Sequence, residues 1–329
     1  MRLPRFEYLE PKDITEVRSL LAEKRDAAAI ITGGTDILVK MKQRVVTPQY
    51  LVNLRHVAEM KGIEFDERKG LRIGALATLE ELSQSRPVKE RFPVLAQAAG
   101  RVAGPQIRNM GTLGGNICLD AMCWYYNQSH EWWKSKTPCF KRGGDRCYVA
   151  KGAKECVALF QADTPPALIA LGAKVKVVGP VEERWVDLED LYTQKGKKAN
   201  ALDAAEFVKE INIPPPPGGS GGAYSKFSPR EAIDFPIVGA ASQLSLADGK
   251  CNAARIVFTA VACGPVRVKE AEAVLLGNTI TDELVEKAAA AAQEKIRPLT
   301  HMGVSAGHKR KLIKVMAQRS LRQAWGLAR

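Results

Sequence analysis

Long apolar runs are missing from the 329 residues. No stretch reaches the roughly 18 consecutive apolar residues of a bilayer-crossing helix, so no membrane span is expected. The opening Met1-Arg2-Leu3-Pro4-Arg5 runs into polar sequence without the apolar centre of a secretory signal, and the expected location is the cytoplasm. Histidine is scarce: His56, His130, His301 and His308 are all there is, and none stands at a telling spacing from a nucleophile or a ligand. Neither a Ser/His/Asp nor a Cys/His constellation is visible, and no general base is assigned. The glycines include no G-x-G-x-x-G and no G-x-x-x-x-G-K-[ST], which excludes the Rossmann fingerprint and the P-loop. Acidic residues are absent from 295 to 329, although the chain as a whole is strongly basic at +13. Within that stretch Leu312, Ile313, Met316 and Leu321 recur at helical spacing beside Lys309, Arg310, Lys311, Lys314 and Arg322. An amphipathic helix with a solvated basic face is expected there. No nucleic-acid motif accompanies the charge, so nucleic acid is not an expected partner.

What is present reads as short α/β units. Ala27 to Ile31 has the look of a buried strand ended by Gly33-Gly34, with Thr35 and Asp36 placed to cap a helix from Ile37 to Lys42. A strand around Leu71 to Ala75 leads to a helix capped by Thr78. Ala167 to Val178 is apolar and ends β-branched, and Trp185 to Leu191 closes the unit. Then comes Pro214-Pro215-Pro216-Pro217-Gly218-Gly219-Ser220-Gly221-Gly222, which reads as a linker. Beyond it Ala240 to Ala247 and Arg255 to Ala262 alternate as antiparallel strands, followed by helices from Glu270 to Leu276 and from Thr281 to Lys295. The expected class is α+β, with domains at 1–217 and 223–329.

Two glycine turns carry the first chemical signal: Thr32-Gly33-Gly34-Thr35-Asp36-Ile37 and Thr112-Leu113-Gly114-Gly115-Asn116. Each is placed to offer backbone N–H groups at a helix start to a phosphate. Each alone is a weak signal; as a pair they could clamp a pyrophosphate from both sides, which suits FAD better than a mononucleotide.

The second signal is Cys123, Cys139, Cys147 and Cys156, spaced C-x15-C-x7-C-x8-C and surrounded by Trp124, Trp132 and Trp133 with Tyr125, Tyr126, Phe140 and Tyr148. Seven cysteines in all is an odd number for a closed disulfide framework. Three readings stand open on the residues: a [4Fe–4S] cluster, which needs four thiolates; a zinc site, although the usual C-x2–4-C half is missing; or four unligated structural cysteines. Cys118 lies in the extension of the second turn, and Cys251 and Cys263 are expected in the core.

These motifs, with Ile73-Gly74-Ala75, Gln106-Ile107-Arg108-Asn109, Asp163-Thr164-Pro165-Pro166-Ala167-Leu168 and Tyr224-Ser225-Lys226, resemble the FAD-binding medium subunit of the molybdenum hydroxylases, the xanthine dehydrogenase family. The resemblance covers nearly the whole chain. It implies a bipartite FAD-binding domain of the vanillyl-alcohol oxidase (PCMH) type, then a CO dehydrogenase flavoprotein C-terminal type domain. It puts FAD on Thr32 to Ile37 and Thr112 to Asn116, the cofactor's sugar or ribityl hydroxyls at Asp163, and a polar edge of it at Lys226. His308 departs from the family, where many members have Tyr. The segment 118–160 is an insertion most members lack. Its Tyr126-Asn127-Gln128-Ser129, Trp132-Trp133 and Gly144-Asp145-Arg146-Cys147 are similar to the β subunits of 4-hydroxybenzoyl-CoA reductases. That likeness implies a [4Fe–4S] cluster on Cys123, Cys139, Cys147 and Cys156. It also implies partners: a molybdopterin-binding large subunit and a [2Fe–2S] small subunit in a heterotrimer or its dimer, with ferredoxin as electron donor. The alternatives are a hydroxylase of the same family that passes electrons outward, and a non-redox module stapled by zinc.

Overall fold

A computed structural model describes residues 2–301 and 303–328 of the chain. Among the described residues its N-terminal part holds two larger sheets and the small antiparallel pair Tyr192–Lys195 with Lys198–Asn200. The first is parallel: Tyr50–Asn53 lies between Glu7–Leu9 and Ala28–Ile31, with Leu51 opposite both Tyr8 and Ala29. The second is antiparallel, in the order Ile63–Asp66, Gly70–Gly74, Phe207–Ile213, Lys174–Val178, Glu183–Asp187. Its central strand comes last in sequence. Ile211 pairs with Ile73 on one side and Val175 on the other, and all three are fully buried. Removing three such side chains from water contributes roughly 1.5–3 kcal/mol each.

Some helices start where the sequence offers a side-chain cap. Thr78 and Glu81 form a capping box at Leu79–Gln84. Thr112 accepts from Gly115 N–H and starts the short helix Leu113–Ile117. At Ile37–Lys42 the expected side-chain cap is absent: Asp36 occupies the cap position but makes no capping bond, and its carboxylate instead pairs with Lys40 at 2.7 Å. Thr164–Ala170, preceded by Asp163 and opened by two prolines, is buried at every residue.

After the proline run the chain enters Ser220–Phe227, then the hairpin Val238–Ala247 and Lys250–Thr259, then Val266–Arg267, in one four-stranded sheet. Helix Ala306–Leu327 packs on the first two strands. It comes so close that a β-carbon on Gly221 would lie 2.2 Å from the Ala324 carbonyl oxygen. Leu312, Ile313, Met316 and Leu321 are its buried face, as their spacing predicts. Lys309 is not on the basic outer face. It is 2% exposed and donates to the Ala260 carbonyl oxygen. Among the described residues, no helix is long and apolar enough to cross a membrane.

The segment 118–160 has little regular structure beyond His130–Lys134 and the 3₁₀ turn Phe140–Arg142. Its neck is clasped by Met122 and Leu159, which exchange N–H···O bonds of 2.7 and 2.9 Å. Inside, Trp132 meets Trp133 edge-on at 5.0 Å, and Tyr148 lies 5.5 Å from Tyr125 and 6.0 Å from Trp133. This aromatic cluster gives the excursion a small core of its own. Trp124 is not part of that wrapping; it is 58% exposed.

Candidate functional site

The two glycine turns meet. Thr32 at the end of its strand and Thr112 at its helix cap share a hydrogen bond of 3.0 Å between hydroxyls. Around them lies a cavity of about 530 Å³, within the usual range for small-molecule sites. Of the residues expected to hold the cofactor, Thr32, Gly33, Gly34, Thr35, Asp36 and Ile37 line it, and so do Thr112, Gly114, Gly115, Asn116 and Asp163.

The glycines answer to different constraints. A β-carbon on Gly33 would strike the Met110 carbonyl oxygen at 1.9 Å, and one on Gly114 would meet Ala75 at 2.8 Å, so these two permit the turns to pack on the protein itself. Gly34 has φ +73°, a left-handed conformation that disfavours other residues. Gly115 has Thr112 Oγ1 and Thr32 Oγ1 as its nearest neighbours.

Two expected contacts fall elsewhere. Leu113 is fully buried in the core and does not line the cavity. Lys226 does not line it either. Its Nζ donates to Asp163 Oδ2 at 3.1 Å and to the carbonyl oxygens of Arg101 and Asp234 at 2.9 and 2.8 Å, which occupies all three of its donors. Asp163 Oδ1 accepts from the Tyr224 hydroxyl at 2.7 Å. Burial raises the Asp163 carboxyl, and Lys226 and Tyr224 oppose that rise. Asp163 therefore reaches the cavity on a support built by the C-terminal half. Asn116 is fixed similarly, its Oδ1 accepting from the Thr164 hydroxyl at 2.6 Å.

The cavity has walls the sequence did not announce. Ile233, Asp234 and Phe235, from the loop after Ser220–Phe227, close one side, and Ile233 N–H donates to the Ala103 carbonyl oxygen. Nothing in the local pattern of that loop marks it. Cys118 and Asp120 also line the cavity, and burial pushes the Cys118 thiol up to about 12.

A second, small cavity of about 20 Å³ lies in the excursion, and Cys123, Cys139, Cys147 and Cys156 all line it. Tyr125, Tyr126, Phe140 and Tyr148 complete its aromatic walls. Burial raises the Cys123 thiol, Cys147 and Cys139 raise it further, and the N–H groups of Tyr126 and Tyr125 oppose this. Burial pushes Cys156 up to about 11, opposed by the Ala158 N–H and by Lys141. The Ala150 N–H points at the Cys147 sulfur at 3.5 Å. Among the described residues, no three His, Cys, Asp or Glu side chains close on a single metal ion. Cys251 is buried as expected, but Cys263 is only half-buried and sits 3.9 Å from the Cys156 carbonyl oxygen.

Residues 4–216 match the family described as the FAD binding domain in molybdopterin dehydrogenase, and 223–324 match the CO dehydrogenase flavoprotein C-terminal domain. The chain is 30% identical over 319 residues to the carbon monoxide dehydrogenase medium chain of Afipia carboxidovorans, covering 97% of this chain and 96% of that one. It is 29% identical to the 6-hydroxypseudooxynicotine dehydrogenase complex subunit alpha of Paenarthrobacter nicotinovorans, over 100% of this chain and 97% of that one. In structure it is similar to carbon monoxide dehydrogenase from Hydrogenophaga pseudoflava, with a TM-score of 0.82, 29% identity and 99% of both chains covered. Two motif-bearing turns on one cavity, an α+β fold shared over its whole length and two matching domain families lead to one conclusion: the chain belongs to the FAD-binding medium subunits of the molybdenum hydroxylase family.

Proposed function

We propose that this chain is the FAD- and [4Fe–4S]-binding electron-transfer subunit of a molybdenum-containing 4-hydroxybenzoyl-CoA reductase. In this reading reduced ferredoxin is the donor. The destination is the molybdopterin site of a large partner subunit, reached through a [2Fe–2S] small subunit, where the phenolic hydroxyl is removed reductively. When bound, the cluster supplies one-electron and the flavin one- and two-electron redox chemistry.

The observation that carries the reading is the convergence of Cys123, Cys139, Cys147 and Cys156 on one aromatic-walled cavity beside the FAD site. Four thiols are the donor set of a [4Fe–4S] cluster, and N–H groups aimed at their sulfurs are among the levers that set its potential. Zinc is the rival for the same four thiolates, and the metal content of the anaerobically purified chain decides between them. A non-redox module does not accord with an FAD-binding family.

In the larger cavity the turn at Thr32 to Ile37 and the residues Thr112, Gly114, Gly115 and Asn116 of the second turn would hold the FAD pyrophosphate. Asp163 would meet its sugar or ribityl hydroxyls, and Lys226 would act through Asp163. For ferredoxin, the basic surface of the excursion leaves out two of its seven bases, Lys141 and Arg142. Lys141 has a side chain only 2% exposed, and Arg142 lies over Trp133 at 4.6 Å. Of the exposed bases, Lys134 pairs with Glu131 and Arg146 with Asp145, which leaves Lys136, Lys151 and Lys154 to suit an acidic protein steered by charge.

The test is an anaerobic assay of the assembled complex with 4-hydroxybenzoyl-CoA and reduced ferredoxin. Substrate-dependent oxidation of ferredoxin with loss of the hydroxyl is the expected result. No reaction there, with hydroxylation of a substrate when an oxidised acceptor is supplied, would reverse the direction. The names of the relatives, dehydrogenases of carbon monoxide and of a nicotine derivative, favour that second reading.

A further inference from the structure

One buried cation joins the two cavities. Lys141 stands on the 3₁₀ turn Phe140–Arg142, directly after the Cys139 segment, and lines the four-cysteine cavity. Its ammonium has three acceptors: Asp120 Oδ1 at 2.9 Å, the Gly196 carbonyl oxygen at 2.7 Å and the Lys197 carbonyl oxygen at 3.2 Å. Asp120 lines the other cavity, the one proposed for FAD. The carbonyls belong to the turn between strands Tyr192–Lys195 and Lys198–Asn200. That turn packs hard on the excursion: a β-carbon on Gly196 would lie 2.5 Å from the Cys156 carbonyl oxygen. Asp120 and the distant 196–197 turn therefore converge to hold one ammonium in place.

The placement is costly unless it serves something. A lysine side chain 2% exposed has lost nearly all its water, and its single carboxylate partner is itself a third exposed. Tyr126, a wall of the four-cysteine cavity, adds its ring 5.1 Å from the ammonium. Buried pairs of this kind contribute little net stability when compared with apolar packing. What such a pair does supply is a fixed field in a low-dielectric region. A cluster held by four thiolates is anionic, and each added electron makes it more so. Neighbouring charge is one of the factors that set its potential.

We propose that Lys141 is a positioning residue for electron transfer: its buried ammonium, oriented by Asp120 and the 196–197 turn, stabilises the reduced state of the group held by the four cysteines, while Asp120 acts in the opposite sense from the flavin side. The inference rests on the proposed cluster reading. It identifies two residues, Lys141 and Asp120, whose charges link the two redox sites.

The experiment uses the complex isolated anaerobically. Iron, sulfide and FAD are measured first, and the [4Fe–4S] couple is then followed by spectroscopically monitored redox titration. Lys141→Gln keeps a polar head and removes the positive charge. Asp120→Asn keeps the shape and removes the negative one. With cofactors retained, Lys141→Gln is expected to disfavour cluster reduction by about tenfold, which is about 59 mV for a one-electron couple. Asp120→Asn is expected to favour it. Opposite signs are the signature, because local loosening of the fold would move both variants the same way. If Lys141→Gln fails to assemble, the Asp120→Asn shift alone decides, and a downward or absent shift overturns the proposal. Clusters present in all three proteins with unmoved potentials overturn this inference and leave the cluster reading intact. A wild-type complex with FAD but no [4Fe–4S] signal overturns both.

Discussion

Thr32 and Thr112 lie 80 residues apart and join hydroxyl to hydroxyl at 3.0 Å, locking together the two turns that border the larger cavity. Each turn alone is a common device. Their union creates a single wall with two helix starts facing the same space, which is what an extended dinucleotide with a pyrophosphate needs.

A double-mutant cycle on this pair measures the lock. Thr32→Val and Thr112→Val should each lower FAD affinity, with a coupling between them of about 0.5–1.5 kcal/mol. Thr112→Val should be the more damaging, because it also removes the cap at Leu113–Ile117. Strictly additive effects on flavin binding would mean the hydroxyl contact is incidental.

The glycine turns make a second prediction. Gly34→Val must adopt a φ near +73°, at a cost of roughly 1–2 kcal/mol from backbone strain alone, and should lose FAD. Gly115→Val places its branched side chain against Thr112 Oγ1 and Thr32 Oγ1 and should lose FAD as well. Visible flavin absorbance of the purified variants checks both. Full occupancy in each would remove the turns from the cofactor site.

A third prediction concerns the support beneath Asp163. Lys226→Met keeps the stem and leaves Asp163, 3% exposed, without its cation. Breaking a buried pair from one side costs about 3–5 kcal/mol. The loss should register in denaturant midpoint as well as in flavin retention, because Lys226 also ties the C-terminal half to the Arg101 carbonyl oxygen. An unchanged midpoint with reduced FAD affinity would instead fit a lysine that touches the cofactor directly.

A fourth prediction is a pH dependence. The Glu80 carboxyl is held below its usual range first by a hydrogen bond from Arg108 at 2.7 Å, with burial opposing. The folded value is the lower one, so the folded chain binds fewer protons than the unfolded one. The contribution is complete above the unfolded value of about 4.3 and is lost as pH falls through the folded value. The stability gap between wild type and Glu80→Gln should be present at about pH 7 and shrink toward about pH 3. Urea midpoints across that range check it, and a constant gap would contradict it.

Much of this site is legible in the residues because its causes are local. Gly34 needs a left-handed turn, Thr78 and Thr112 need only a neighbouring helix start, and the Leu312 to Leu321 periodicity needs only one buried face. What is not legible depends on distant packing. Lys226 reads as a polar residue near a motif, and only the folded sheet brings Arg101, Asp163 and Asp234 to its three donors. Lys141 reads as part of a basic surface, yet the 196–197 turn buries it. Lys309 reads as an outer-face base and is buried beneath Ala260. Long amphiphilic side chains report their position poorly, since the same stem and charge serve a solvated face or a buried cradle. The loop at Ile233 to Phe235 carries no motif and still walls the cavity.

The most direct measurement is the metal, sulfide and flavin content of the chain purified without oxygen, taken for wild type and for Cys139→Ser. The account predicts about four irons and about four sulfides per FAD in wild type, and in the variant loss of iron with FAD retained. Stoichiometric zinc without iron in wild type, or full iron in a chain lacking the Cys139 thiol, would contradict it.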